Sequence, residues 1–414
     1  MLMMAQGKFH PWLALTLAIL AGAATLVLVL RESGDEGAPS QSAKSEARKP
    51  VPAPAAPTHD DASAGAAPAA ISPEELEKFR RHLLGATLHE YGLEWMDAAT
   101  GRELFLAGRI RDAMAQAERE LARRIAGGDR DAAARLIGMR EGCDDPELLD
   151  TQQDLNERAP QTRQRLLAVA NRLSPAARAK ALVAVDVEAK QAELVSSFCE
   201  GPSPVDVDDL EEKVRQAASD GHTLSLQVMA SIAARKRDEA GRERYLLSAS
   251  LLGASEAQWR LAGLYRERLT ADPNSKDRGK MRFWLEQAFD KIPAAAFDLG
   301  DCLRSECDGQ PANPERAQRL IESAASQGES RAIEAMIEGA GASDKFSQYA
   351  WLDFRARLAE EGCATAAIVT IHASDERDRT RNAFYPDERG EADRRGKELY
   401  DRFGAGARAA LGCD

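Results

Sequence analysis

A chain of 414 residues with a formal net charge of −12 lacks the general basic face that nucleic-acid binding asks for, and no nucleic-acid partner is expected. Aromatic residues make up 5% of it, and alanine, leucine, arginine and glutamate dominate. With few alternating runs of Val, Ile and Thr, the composition excludes extensive β-sheet and predicts an all-α protein.

Residues 1–11 form a short tail carrying Lys8. Trp12 to Leu30 then read WLALTLAILAGAATLVLVL, nineteen residues without a charge, just long enough to span a bilayer core. A cleavable signal peptide calls for a shorter apolar run followed by a small-x-small site, and here the only AGA lies inside the run. An uncleaved, single-pass anchor contacting the lipid bilayer is therefore predicted. The short amino-terminal tail and long following body favour a cytoplasmic amino end. The body would then lie outside the bacterial inner membrane, in the periplasm. Residues 31–71 shift to Ala, Pro, Ser and Gly around KPVPAPAAP and cannot bury enough surface to fold. As a coil, this linker holds the body roughly 35 Å from the bilayer on average.

The body starts abruptly at Ile71-Ser72-Pro73-Glu74-Glu75-Leu76. Ser72 is the N-cap, Glu75 its capping-box partner and Pro73 the first helical residue. Residues 72–205 read as an irregular helical region of about six helices, broken near 91–97, 127–130, 142–146, 158–161 and 173–175. Residues 206–372 are more regular. Four segments align on a turn column Gly221, Gly253, Lys291 and Gly328. Seven residues earlier come Val214, Leu246, Trp284 and Ile321, and three earlier come Ala218, Ser250, Ala288 and Ala325. Four residues later come Ser225, Ala257, Ala295 and Ala332, and eight later come Met229, Leu261, Leu299 and Met336. Apolar columns spaced by four mark one buried face of each helix, and the turn columns lie 32, 38 and 37 residues apart, a solenoid period. Residues 373–414 are read as a charged loop, 373–396, opening into a C-terminal capping helix.

The unit AQWRLAGLYRERLTADPNSKDRGKMRFWLEQAFDK, 257–291, resembles the Sel-one-like repeat, a bacterial relative of the tetratricopeptide repeat. Ala257, Leu261, Tyr265, Asp277 and Trp284 fall at that family's positions, and the next unit offers Ala295, Leu299, Gly300 and Asn313-Pro314. Ala262 replaces an expected glycine, Met281 stands near an expected alanine, and the glycines of the inter-helix loop are missing. The resemblance implies an α/α superhelical solenoid of degenerate tetratricopeptide-like repeats that holds other proteins together. It implies no catalytic residues.

The six cysteines, an even number, suit an oxidising compartment. Cys302 and Cys307, at a helix end and in the following loop, are the expected pair. No paired CxxC stands beside a histidine at ligand spacing, and His82 and His89 lie seven apart rather than three or four, so no metal or other cofactor is expected. There is no Walker loop, GxSxG elbow or dinucleotide fingerprint. Trp259, with Arg260 and Arg266, is the expected partner-facing group, because binding hot spots favour Trp and Arg. The sequence thus predicts a non-catalytic, membrane-anchored scaffold or adaptor for other envelope or membrane proteins. The alternative is an envelope enzyme, for example one acting on peptidoglycan, with the repeats as its targeting part.

Overall fold

The computed structural model describes residues 71–140, 175–199, 206–272, 274–305, 311–341, 344–363 and 367–413, with isolated positions between. The expected membrane helix over 12–30 and the linker up to residue 70 lie outside them, as do Cys143 and the side chain of Cys199. Among the described residues no helix is long and apolar enough to cross a membrane.

Those residues form sixteen α-helices and no strand. The irregular region contains α1 (Pro73–Glu90), α2 (Arg102–Leu106), α3 (Ile110–Ala126), α4 (Arg130–Arg140) and α5 (Pro175–Cys199). Five hairpins follow: α6 (Val207–Ser219) with α7 (Thr223–Arg235), α8 (Glu239–Leu251) with α9 (Ser255–Ala271), α10 (Arg278–Ala288) with α11 (Pro293–Ser305), α12 (Pro314–Ser326) with α13 (Ser330–Gly341), and α14 (Lys345–Glu360) with α15 (Ala367–Ala383). A long α16 (Arg389–Ala410) ends the chain. At the first helix the capping box is complete: Ser72 Oγ accepts from the Glu75 N–H at 3.1 Å, and the Ser72 N–H donates to Glu75 Oε2 at 3.0 Å.

Eight helices stop in the same way, α1 at Gly92 and α2 at Gly108 among them. Gly128, Gly221, Gly253, Gly328, Gly362 and Gly412 each take a positive φ. The residue after each donates its N–H five positions back: Asp129 to Arg124, His222 to Ala217, Ala254 to Ala249, Glu329 to Ala324, Cys363 to Leu358 and Cys413 to Arg408. This closure needs one left-handed residue, which glycine supplies without a Cβ clash. Lys291, in the same column, is not left-handed; there Ile292 instead donates to Ala288, prolonging the helical pattern. Arg237, between α7 and α8, adopts the left-handed turn at φ 56° despite its side chain.

The periodic columns are the core. Of the sixteen residues in the four columns flanking the turn, all are buried except Met336, which is partly buried. Each second helix of a hairpin packs against the first helix of the next, so α7 meets α8, α9 meets α10, and α11 meets α12. The irregular region continues the stack, since α4 packs on both α6 and α7.

The two ends of the stack are in contact. Helix α5 touches α1, α3 and α15. On α1, His82 Nδ1 lies 2.8 Å from the Glu361 carbonyl, and an added Cβ at Gly362 would come within 2.9 Å of the Phe79 carbonyl. A Cβ at Gly85 would sit 2.6 Å from the Gly412 carbonyl. A glycine in the middle of a helix usually costs about 1 kcal/mol against alanine; here backbone contact requires it. Two disulfides fix the later part: Cys302–Cys307, with Cα atoms 4.9 Å apart, and Cys363–Cys413, 5.4 Å apart. The second spans 50 residues against 5 for the first, and on chain entropy it contributes about 4 kcal/mol against about 2.

The charged segment 373–396 is not the solvated loop expected. It is helical to Ala383 and resumes at Arg389, with Phe384 buried in the break between. Its charges are held: Arg381 binds Asp393 in bidentate fashion at 2.7 and 2.6 Å, and Arg377 meets Glu360 at 2.9 Å. Paired in this way, the segment packs on α14 instead of standing in water.

The left-handed turns set a stability test. Arg237→Gly relieves a strained φ and should raise the unfolding free energy by about 1 kcal/mol. Gly253→Ala should lower it by a similar amount, since nothing crowds its Cβ and only the backbone objects. Urea midpoints of both variants check this; a loss of stability in Arg237→Gly would contradict it.

Candidate functional site

Helix α9 carries Glu256, Trp259, Arg260, Gly263 and Arg266 at helical spacing along one face. That face borders α7 on one side and α11 on the other, and polar side chains cross both gaps. Arg260 donates to Ser231 Oγ of α7 at 2.9 Å. The Trp259 indole N–H donates to Asp298 Oδ2 of α11 at 2.8 Å, and Arg266 meets Asp298 Oδ1 at 2.9 Å. From α13, Arg331 reaches the same Asp298 Oδ1 at 2.9 Å and lies over the Phe297 ring at 4.7 Å. A polar seam thus runs across the second helices of four successive hairpins.

Asp298 is the centre of that seam, with a side chain only 3% exposed. Burial alone would raise its carboxyl, but Arg266 and Arg331, with the Trp259 N–H, outweigh desolvation and hold it below the usual range. Asp353 on α14 makes the contrast. Its carboxyl pairs with Arg357 at 2.6 Å, yet desolvation dominates and its pKa is raised. Two buried aspartates in one fold shift in opposite directions: both cations of Asp298 lie at 2.9 Å, whereas the second cation of Asp353, Arg377, lies at 3.8 Å and Glu360 adds a like charge. Glu256 is open to solvent, yet burial raises its carboxyl and outweighs Arg260.

Beside the seam lies a groove of about 230 Å³ over Gly263, with Met281, Leu285 and Leu269 as its apolar wall and Arg266, Arg278 and Asp301 at its rim. Open space lies where a Gly263 side chain would be. The volume falls short of the roughly 300–1,000 Å³ of small-molecule sites and suits a single side chain. The Cys302–Cys307 disulfide borders the same groove. A second concavity, about 550 Å³, lies between α1, α2 and Gly412. Of its charged lining, Glu77 binds Arg80, Arg81 binds Glu103 and Glu75 completes the capping box with Ser72.

The structure brings Trp259, Arg260 and Arg266 together, but each has an internal hydrogen-bonding or ionic partner. The Trp259 donor is used by Asp298, so only the ring remains for contact; Arg266, its side chain 45% exposed, is the most open of the three. Asp298 and Arg331 were not singled out from sequence, since nothing local marks an aspartate that gathers donors from 39 residues before and 33 after it. Among the described residues no group of three or more His, Cys, Asp or Glu could hold a metal ion. His82 and His89 part company, the first on the Glu361 carbonyl and the second on Glu94 at 2.6 Å.

No family model matches this chain, and no curated protein matches it. Among solved structures it is similar to c5321, a protective antigen present in uropathogenic Escherichia coli strains displaying an SLR fold. The TM-score is 0.38 at 14% identity, over 82% of this chain and 79% of the antigen. At that distance the antigen's description passes nothing to this chain.

Asp298→Asn leaves two guanidinium groups without their carboxylate and should lower the unfolding free energy by about 3 kcal/mol at pH 7. Because the folded carboxyl lies below its unfolded value, its contribution is present above about pH 4 and is lost as the pH falls further. Urea titration of wild type and variant should show the gap narrowing only below about pH 4. A gap under 1 kcal/mol at neutral pH would contradict it.

Proposed function

We propose that the protein is a non-catalytic, membrane-anchored scaffold whose stacked hairpins bind other envelope proteins along the seam wall of α7, α9, α11 and α13. The observation that carries this reading is the groove over Gly263, lined by Arg266 and Asp298 of the seam, with Trp259, Arg260 and the exposed Glu256 on the same face of α9. Charged groups there are positioned by internal bonds, so a partner meets a surface already ordered and little conformational entropy is lost on docking. The apolar groove beside them accepts one side chain of the partner, and the rim arginines and Asp301 set its polar surroundings.

The anchor over 12–30 and the linker over 31–71 complete the reading. A body tethered at the membrane meets membrane-bound partners at raised effective concentration. In this proposal the body lies in the periplasm, and the superhelical stack supplies geometry rather than chemistry. The ion pairs already made by the carboxylates around the groove, Asp298 with Arg266 and Arg331 and Asp301 with Arg304, favour recognition there over an envelope enzyme.

A photoreactive residue at position 256, in the full chain expressed in cells, tests the wall directly. Crosslinks to a discrete protein should form there and fall at least about tenfold when Arg260→Glu is added, as loss of a buried charged contact of 1.4 kcal/mol or more requires. Crosslinking at 256 that is absent, or indifferent to Arg260→Glu, would remove this face from the site.

A further inference from the structure

The Cys363–Cys413 disulfide joins two helix ends that do one job. Cys363 follows Gly362 at the close of α14, and Cys413 follows Gly412 at the close of α16, each in the same left-handed turn. Both turns press on α1. Gly362 lies against the Phe79 carbonyl and His82, and Gly412 against Gly85 and His89. Phe79, His82, Gly85 and His89 share one face of that helix. Both cysteines are buried, Cys363 at 6% and Cys413 at 1% exposure, so a thiolate reaches the bond only when the paired turns part from α1 in a local opening.

Other bonds tie these pieces to each other and to α5. Arg408 of α16 reaches Glu361 at 3.2 Å, His82 of α1 contacts the Glu361 carbonyl, and Lys180 of α5 donates to the Glu360 carbonyl at 2.5 Å. Each is a single polar contact at the surface or half-buried, worth on the order of 1 kcal/mol or less. The disulfide is the one covalent link between the two turns.

We propose that Cys363–Cys413 is a redox latch: oxidised, it holds the paired turns as a seat for α1 and keeps the first and last elements of the stack together; reduced, it lets α1 leave. The chemistry is thiol–disulfide exchange with a dithiol. Two electrons and two protons convert the Sγ–Sγ bond into two thiols while the dithiol closes to its own disulfide. The consequence is local. Neither cysteine lies in α6 to α13, which meet this end of α16 where Gly328 packs on Leu411, so the seam wall stays folded while the contact of α1 with α14 and α16 opens. The latch does not depend on the seam's partner.

Amide hydrogen exchange of the full chain, with and without dithiothreitol, tests it. On reduction, exchange over 73–90 should rise at least about tenfold while 206–341 stays protected. Cys363→Ser/Cys413→Ser should show the fast exchange without reductant and no further response to it. Cys302→Ser/Cys307→Ser should behave as wild type. The latch is overturned if 73–90 does not respond in wild type, or if the response persists in Cys363→Ser/Cys413→Ser. It is equally overturned if exchange rises across 206–341 as well, or if the double variant does not fold, since the bond would then staple the whole body.

Discussion

Where the two helices of a hairpin meet, Ala257, Ala295 and Ala332 are completely buried, and Ala288 and Ala325 are buried three residues before the turn. Side chains this small let helix axes approach to the near end of the usual 8–10 Å range. Larger neighbours, Leu246, Leu261, Trp284 and Leu299, then fill the space beside them. Interdigitation of small and large at fixed offsets makes one hairpin fit the next. Without it the glycine turns would still reverse the chain, but the reversed helices would have nothing common to stack on.

Packing of this kind leaves the outer and inner faces of each helix free to differ. On α9 the freed face became a polar seam. Asp298 accepts from both neighbouring second helices, which makes the seam a structural brace as well as a surface. Brace and surface are compatible because the donors' heads are used while parts of the side chains, Arg266 above all, remain in contact with water. The exposed ion pairs elsewhere, such as Arg394 with Glu391, contribute little by comparison.

The periodic part of this fold was plain in the sequence, because a column that repeats every turn of a helix and every hairpin is local information. Gly221, Gly253 and Gly328 announced their turns for the same reason, and Ser72 with Glu75 announced the first helix. What escaped was non-local. Gly85 reads as a helix-weakening residue until Gly412 is brought against it, and the pairing of Cys363 with Cys413 depends on two helix ends meeting. Residues 373–396 looked like a solvated loop because their charges are dense and mixed; their helical state rests on Asp353, Glu360 and Asp393 accepting those arginines across space. At the candidate site, Trp259, Arg260 and Arg266 were visible as a cluster, but their common orientation toward Asp298 and Ser231 was not.

The account turns on small residues at the hairpin crossings, and adding volume there tests it most directly. Urea unfolding of Ala257→Leu and Ala295→Leu should each show a loss of about 1–3 kcal/mol or more, from overpacking of a filled crossing. Ala405→Leu, on an exposed position of α16, should change stability by less than about 0.5 kcal/mol. Column variants as stable as Ala405→Leu would contradict the claim that close approach at these alanines holds the stack together.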